Sequence, residues 1–522
     1  MLRSRIPLVL AAAVVLAALL PSAPAGAAQW SPAVVVSPPE QFVIEDQLAV
    51  NPAGDAVVVW WSHVGPEAFI EGATRPAGGA WSAPSVLAQN EPLGQPKVAI
   101  DAAGDATVVW QNTVVTDQIK AANYIAQTGT WGNVVTLSEA GCQSVEPAVA
   151  VDPQGHAIAV WSGANSPGVG VIRASVEQTP GGPWSAPVAL SGEVLSGESP
   201  AVAFSALGNA VAAWGQRNGT TVALQVSERG LGGSWSAPVT LSPVGGSAPQ
   251  VAMNAHGDEA VVWERRGGGI NNVQATLHPI GGAWTPVRTL SDMGSVDNEP
   301  QVALTEASEA VAVWDHLEGA HSTAQSAHAS LSDGEWSGPA AISAEGAIGF
   351  APSVSVDPLG NAIATWQHTV AGTGTIQSAT RPTGGGAWST PIDLSTPSLE
   401  PKESHVGFDA HGRAVAIWKR WTGTSSVVES AALETPEAPV SPPQSSPPAD
   451  PGTPPAASTK APAGAACRAG YIRREVKVRV RVKGAKPKAK ARFKTKTALR
   501  CVKRGHGAKP KKKHPPKRRR RH

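Results

Sequence analysis

Two tryptophan motifs alternate strictly along this chain, and each returns every 49 to 53 residues. The first is an apolar-Ala-apolar stretch, a turn and an apolar strand ending in Trp. It runs from Asp101-Ala-Ala-Gly104 to Trp110, from Asp152 to Trp161, from Asp357 to Trp366 and from Asp409 to Trp418. Looser copies end at Trp60, Trp214, Trp263 and Trp314. The second, Trp-Ser-x-Pro-x-x-Leu-Ser, starts at Trp184, Trp235 and Trp388, with variants at Trp30, Trp81, Trp131, Trp284 and Trp336. Together they use 16 of the 18 tryptophans and leave over Trp61 and Trp421. A repeat of this length is one supersecondary unit that must stack on its neighbours to bury its apolar face.

Each unit predicts four short strands. Pro147 to Asp152 alternates with period two and reads as the first. The Asp-Pro-x-Gly turn follows, with Asp bonding its own backbone and Gly taking the positive φ. Ala157 to Trp161 is the second strand, and a polar loop leads to a third such as Thr375 to Arg381. The Trp-Ser-x-Pro strand is the fourth, where Pro fits an edge because it donates no ladder hydrogen bond. Four strands per repeat predict an all-β fold, an eight-bladed β-propeller, rather than a β-solenoid with shorter repeats or sandwiches of about 100 residues. The series starts with a lone fourth strand at Trp30 and ends with strands one to three, His405 to Leu433. The N-terminal strand is therefore expected to complete the last blade and remove the open edge. With six Phe and two Tyr in the chain, the sixteen periodic tryptophans are expected to be core filler.

The Gly-Gly-x-Trp-Ser-x-Pro-x-x-Leu-Ser strand followed by Pro-x-Val-Ala-x-Asp-x-x-Gly-x-Ala-x-x-x-Trp resembles the blades of sialidase-type (BNR/Asp-box) propellers, over about residues 29 to 435. The family's Asp-box is approached at Ser332-Asp333-Gly334-Glu335-Trp336, while most copies have Gly-Gly there. The resemblance implies six blades, three arginines on a substrate carboxylate, a Tyr–Glu nucleophile pair and an Asp acid/base. Here the repeats hold one tyrosine, Tyr124, and ten arginines in contexts unlike the family's; Arg5-Ile6-Pro7 lies in the leader. No HExxH, P-loop, nucleophile elbow or Cys/His metal spacing occurs, so no metal or cofactor is expected. Each Asp-x-x-Gly turn has too few oxygens for calcium.

The repeats diverge most just after the second-strand Trp, in loops sharing one face with the fourth-to-first connections. Binding residues concentrate on such loops. The candidates are Trp61, His63, Arg217, Arg265, His316, His368, Arg420 and Trp421. Trp61 and Trp421 belong to the first and last repeats, neighbours in a closed ring, and an aromatic–polar patch there would suit a sugar ring or an anion. The bland alternative is ordinary solvated loop residues.

Residues 1–27 read as a cleaved secretory leader: Arg3 and Arg5, an apolar run from Ile6 to Leu20, then Ala25-Gly26-Ala27. That run is short of the ~20 residues of a membrane span. The repeats occupy 28–435, a Pro-rich spacer 436–465, a small basic β-hairpin 466–504 and a disordered polybasic tail 505–522. Arg468 to His522 holds 25 Lys and Arg against Glu475, leaving 17 basic and 39 acidic residues before it. The net +2 thus hides an acidic domain with a basic tail. Cys467 and Cys501 are expected to pair and Cys142 to be a lone buried thiol. Lys511, Lys512, Lys513, Arg518, Arg519, Arg520 and Arg521 suit a polyanion: an anionic cell-envelope polymer or acidic polysaccharide before nucleic acid, since no aromatic reading module accompanies them. The expectation is a monomeric, secreted or cell-surface, non-catalytic binding or scaffold protein, with a glycan or protein ligand on the propeller face. The alternatives are a glycan-acting, sialidase-like hydrolase and a matrix protein without a specific ligand.

Overall fold

The structure, a computed structural model, describes residues 29–434 except 90–92, 114–115, 167–168, 193–195, 268–269, 293–295, 320, 345–347, 371 and 399–400. It also describes the backbone of Tyr471–Arg481 and Phe493–Lys503. The leader, the Pro-rich spacer, Cys467 and the Lys511–Arg521 cluster lie outside the described residues. The chain separates into two compact units, Met1–Val440 and Ser441–His522.

Every described element is a β-strand, and the first unit has the chain course of a β-propeller. The third repeat shows the plan: Gln143–Val151, Ala157–Ser166, Val169–Glu177 and Val188–Ala189 pair in order, all antiparallel. First strands of successive repeats lie side by side, and Lys402–Phe408 of the last neighbours Phe42–Val50 of the first. Parallel bridges join adjoining repeats at Asn271↔Val296 and Ser322↔Ile348, and the last repeat to the first at Phe42↔Ser426. No described helix is long and apolar enough to cross a membrane.

The motifs have local causes. In the Asp152 turn, Oδ1 accepts from the backbone N–H of Gln154 and His156, each at 2.9 Å. Asp101, Asp357 and Asp409 do the same, and the first-repeat Asn51 substitutes for Asp. Gly155 is needed twice: its φ is +86°, and an added Cβ would stand 2.8 Å from Asp101 Oδ2 of the preceding turn. Gly54 meets Asp409 Oδ2 in the same way, so the turns interlock from repeat to repeat and from last to first.

The Trp-Ser-x-Pro strand is barely a strand. Ser185 donates its N–H to Val176 O at 2.8 Å and accepts the Val176 N–H on its hydroxyl at 3.1 Å. A serine side chain thus supplies a ladder bond that the backbone, with proline two residues on, does not make. Ser31 holds Ala432 identically, at 2.7 and 3.0 Å. Gln29–Trp30 and Val34–Val35 pair with Ser426–Glu434, so the expected N- to C-terminal strand pairing is present.

Packing separates the two tryptophan series. Trp60, Trp110, Trp161, Trp214, Trp263, Trp314, Trp366 and Trp418 are fully buried between adjoining repeats. Trp214, for example, packs on Ile158, Val160, Ile172 and Ala174 of the repeat before it. The Trp-Ser-x-Pro series, Trp30 to Trp388, is only half-buried at the rim. All eight still pack against the core clusters, as expected of core filler, but each keeps part of its surface exposed.

The first strands also begin earlier than expected. In the third repeat the strand starts at Gln143, and Pro147 sits in a bulge between Val145 and Ala148. The residue before the proline is left-handed there: Glu146 (φ 55°), Ser199 (50°), Ala248 (47°), Glu299 (52°) and Ala351 (49°), with Glu403 (52°) preceding Ser404. A proline without N–H is tolerated where a bulge interrupts the ladder. In the second unit, Tyr471–Arg481 pairs antiparallel with Phe493–Lys503, placing Cys501 opposite Arg473.

Candidate functional site

The bulged ends of the first strands line one opening, a cavity of about 520 Å³ bordered by Gln47, Lys97, Glu299, Glu403 and His405 among others. Strand direction puts it on the same face as the loops after the second-strand tryptophans. Non-glycine residues at positive φ cost about 1–3 kcal/mol each, and such strain concentrates at functional sites. Part of it is structural: Glu146 Oε2 accepts the Ser199 N–H at 2.6 Å and Glu264 Oε1 the Glu299 N–H at 2.9 Å. Each carboxylate takes a donor that the next bulge leaves over.

The remaining groups form a mixed-charge cluster. Lys419 Nζ donates to Ile44 O at 2.5 Å and to Glu403 Oε1 at 2.9 Å, tying the last repeat to the first. Asp46 is 1% exposed and neither carboxylate oxygen has a hydrogen-bond partner. Burial first, then the Glu403 charge, pushes its carboxyl well above the usual range, with Lys419 opposing. Glu299 is exposed to the cavity, so the surrounding protein pushes its carboxyl up only in part, together with Glu264 and Glu403. Lys97 is pulled down by burial, against Glu45 and Glu403. His405 is pushed down to about 4 by burial and then by Lys97, while its bond to the Asp46 backbone opposes. Its Nε2 lies 3.3 Å from the Gln47 amide nitrogen, which can only donate, so Nε2 accepts. The mouth therefore offers neutral and charged donors and acceptors together.

The residues expected from sequence are distributed around this face. Phe42 stacks on His63 at 5.4 Å and 6° and meets Trp421 at 5.4 Å and 54°. This row bridges the first and last repeats, and Phe42, which sequence reasoning missed, is its middle member. Trp61 instead packs toward the second repeat, on the cluster of Ile70 and Trp110. Arg420 is engaged by Glu429 at 2.7 Å. Arg217 is held by both oxygens of Glu198, and with Arg265 lines a separate hollow of about 420 Å³. His316 is buried against Asp297 at 2.7 Å. His368 is half-buried, its pKa lowered by burial and partly restored by Asp393. Cys142 is a buried thiol donating to Glu139 at 3.7 Å.

No protein-family model matches the chain. No curated protein matches it. Among solved structures it is similar to an ulvan lyase of a new polysaccharide lyase family, at 11% identity and TM-score 0.43, over 65% of this chain and 93% of that one. It is also similar to the β-propeller domain of the trilobed protease from Pyrococcus furiosus, at 8% identity and TM-score 0.42, over 68% and 98%. A third is an α-L-arabinofuranosidase from Fusarium graminearum, at 13% identity and TM-score 0.40, over 66% and 94%. At these values the resemblance transfers no blade number, family or activity to this chain.

Proposed function

We propose that this chain is an exported eight-bladed β-propeller, a divergent sialidase-like one with degenerate Asp-boxes, that binds carbohydrate without turning it over. The ligand sits at the channel mouth, and the basic tail attaches the protein to anionic envelope polymer. The observation that carries the binding reading is that strand direction puts the Phe42–His63–Trp421 row and the cavity lined by Glu299, Glu403, Lys97 and His405 on one face. Sugars are recognised by an aromatic face for the ring and by mixed donors and acceptors for the hydroxyls. Eight blades and a closed ring are supported by one fully buried tryptophan per repeat. They are also supported by the bonds from Lys419 and Ser426 to the first strand of the first repeat.

A second reading, a glycan-acting enzyme, is favoured by one feature. The carboxyl pKa values of Asp46 and of the cavity-lining Glu299 are both raised, and glycoside hydrolysis uses a carboxyl held protonated beside a second one. The test is a glycan array probed with the full chain, with every bound glycan incubated and assayed for new reducing ends. Binding that Phe42→Ala and Trp421→Ala abolish, without new ends, supports the first reading. Turnover lost in Asp46→Asn supports the second, and an array without any bound glycan refutes both.

A further inference from the structure

On the turn face, at the opposite end of the strands from the mouth, three side chains converge from two repeats. Glu228 is the last residue but one of strand Thr221–Arg229, Glu259 opens strand Glu259–Gly267 and His278 ends strand Ile270–His278. Their ligating atoms all lie within 4.8 Å of one another. His278 is fixed on both sides: its ring stacks on Trp284 at 4.6 Å and 15°, and its Nε2 lies 3.2 Å from Gly282 O. A carbonyl only accepts, so Nε2 carries a proton and Nδ1 is the atom turned to the carboxylates. That is the arrangement in which a metal-bound histidine is oriented by a backbone carbonyl.

Distances separate an ion pair from a ligand set. Nδ1 is 3.4 Å from Glu228 Oε1 and 3.5 Å from Glu259 Oε2. Charge-assisted N–H···O bonds are ~2.7–2.9 Å, so both contacts are too long. Two ligands at zinc bond lengths of about 2.0–2.1 Å in a tetrahedron stand roughly 3.3–3.4 Å apart. The Glu259 side chain is 5% exposed, and its Oε2 has no hydrogen-bond partner. The seven other repeats all place alanine at this position: Ala56, Ala106, Ala157, Ala210, Ala310, Ala362 and Ala414.

We propose that Glu228, Glu259 and His278 bind one divalent cation of the zinc type, which cross-links the fourth and fifth repeats. One nitrogen and two carboxylate donors suit a borderline ion rather than calcium or magnesium. The Glu228 side chain, 39% exposed, leaves a way in and closes the last edge, and water takes the fourth position. This site is independent of the channel mouth, and either can fail alone.

The test uses the full chain, stripped by chelator and titrated with Co²⁺, whose d–d bands are intense when four-coordinate, followed by displacement with Zn²⁺. One Co²⁺ per chain with four-coordinate bands is expected, together with a raised Tm. Both signatures should fall at least tenfold in affinity in His278→Gln and in Glu228→Gln, the latter an exposed change that leaves folding intact. Absence of the bands in the wild-type chain overturns the proposal. So do bands that persist in both variants, which would place the ion elsewhere, for example on the tail histidines.

Discussion

Replacing Trp214 by Ala and, separately, Trp235 by Ala probes how the propeller is held together. Both tryptophans belong to the repeat grid, and a reading that treats all sixteen as core makes the two losses alike. Trp214 is 0% exposed and packs on the sheet of the preceding repeat, whereas Trp235 is half-buried at the rim. A fully buried indole removes up to ~250 Å² from water, at most about 6 kcal/mol at ~25 cal/mol/Å². Incomplete collapse of the cavity and a partly compact unfolded chain bring measured Trp→Ala losses to about 3–5 kcal/mol. Trp214 also loses the bond from its Nε1 to Gln216 Oε1 at 3.1 Å, leaving a buried acceptor worth about 1 kcal/mol more. Trp235 keeps most of its surface covered and packs against the same cluster, so Trp235→Ala costs less, roughly 2–4 kcal/mol. Urea unfolding followed by circular dichroism, with m unchanged, measures both. Equal losses, or a Trp214 loss below about 2 kcal/mol, would refute the division into wedge and rim.

Other outcomes follow from the same geometry. His405 has a folded pKa of about 4, below its unfolded value of ~6.5. The unfolded chain therefore takes up a proton first, and the stability from this group is full above ~6.5 and lost as pH falls toward 4. The shift corresponds to about 1–3 kcal/mol, and in His405→Gln that part of the pH–stability slope should vanish. Val36→Asp puts a charge into the seam between first and last repeats, where Val36 is 6% exposed, and should cost about 3 kcal/mol or more in chemical denaturation. Projections down the channel axis by electron microscopy should show eight lobes, and any other number removes the closure argument. Retention on an anionic polysaccharide matrix should fall steeply between 0.05 and 0.3 M NaCl, on the order of the range over which the Debye length drops below 10 Å, and disappear when Lys511–Lys513 and Arg518–Arg521 are replaced by Gln.

Much of the scaffold was legible because its signals are local. An Asp two residues before the N–H that it caps, a Gly at positive φ and a Ser beside the edge Pro act within four or nine residues. They recur often enough to be read by internal comparison. The pairing of Trp30 with Leu433 was legible from the unequal ends of the repeat series. The bulge was not, because Glu146-Pro147 looks like a strand start when the residues before it are polar. The partial exposure of the rim tryptophans depends on how short the fourth strands are, which a Trp-Ser-x-Pro pattern does not reveal. The mouth was least legible. Lys97, Glu299 and Glu403 come from three different repeats, and no local spacing links them. Phe42 opens its first strand where Gln143, Val296 and Ile348 stand in other repeats, so no recurring aromatic marks it. Glu228, Glu259 and His278 follow no ligand spacing, since two strands and a neighbouring repeat bring them together.

The most direct test of the binding site is a calorimetric titration of the array's tightest glycan into the full chain, compared with variants at the mouth and away from it. Phe42→Ala, Trp421→Ala and Glu403→Gln should each weaken binding at least tenfold, while Trp235→Ala and His278→Gln leave it unchanged. Equal affinity across all five would place the ligand elsewhere and contradict the assignment of the channel mouth.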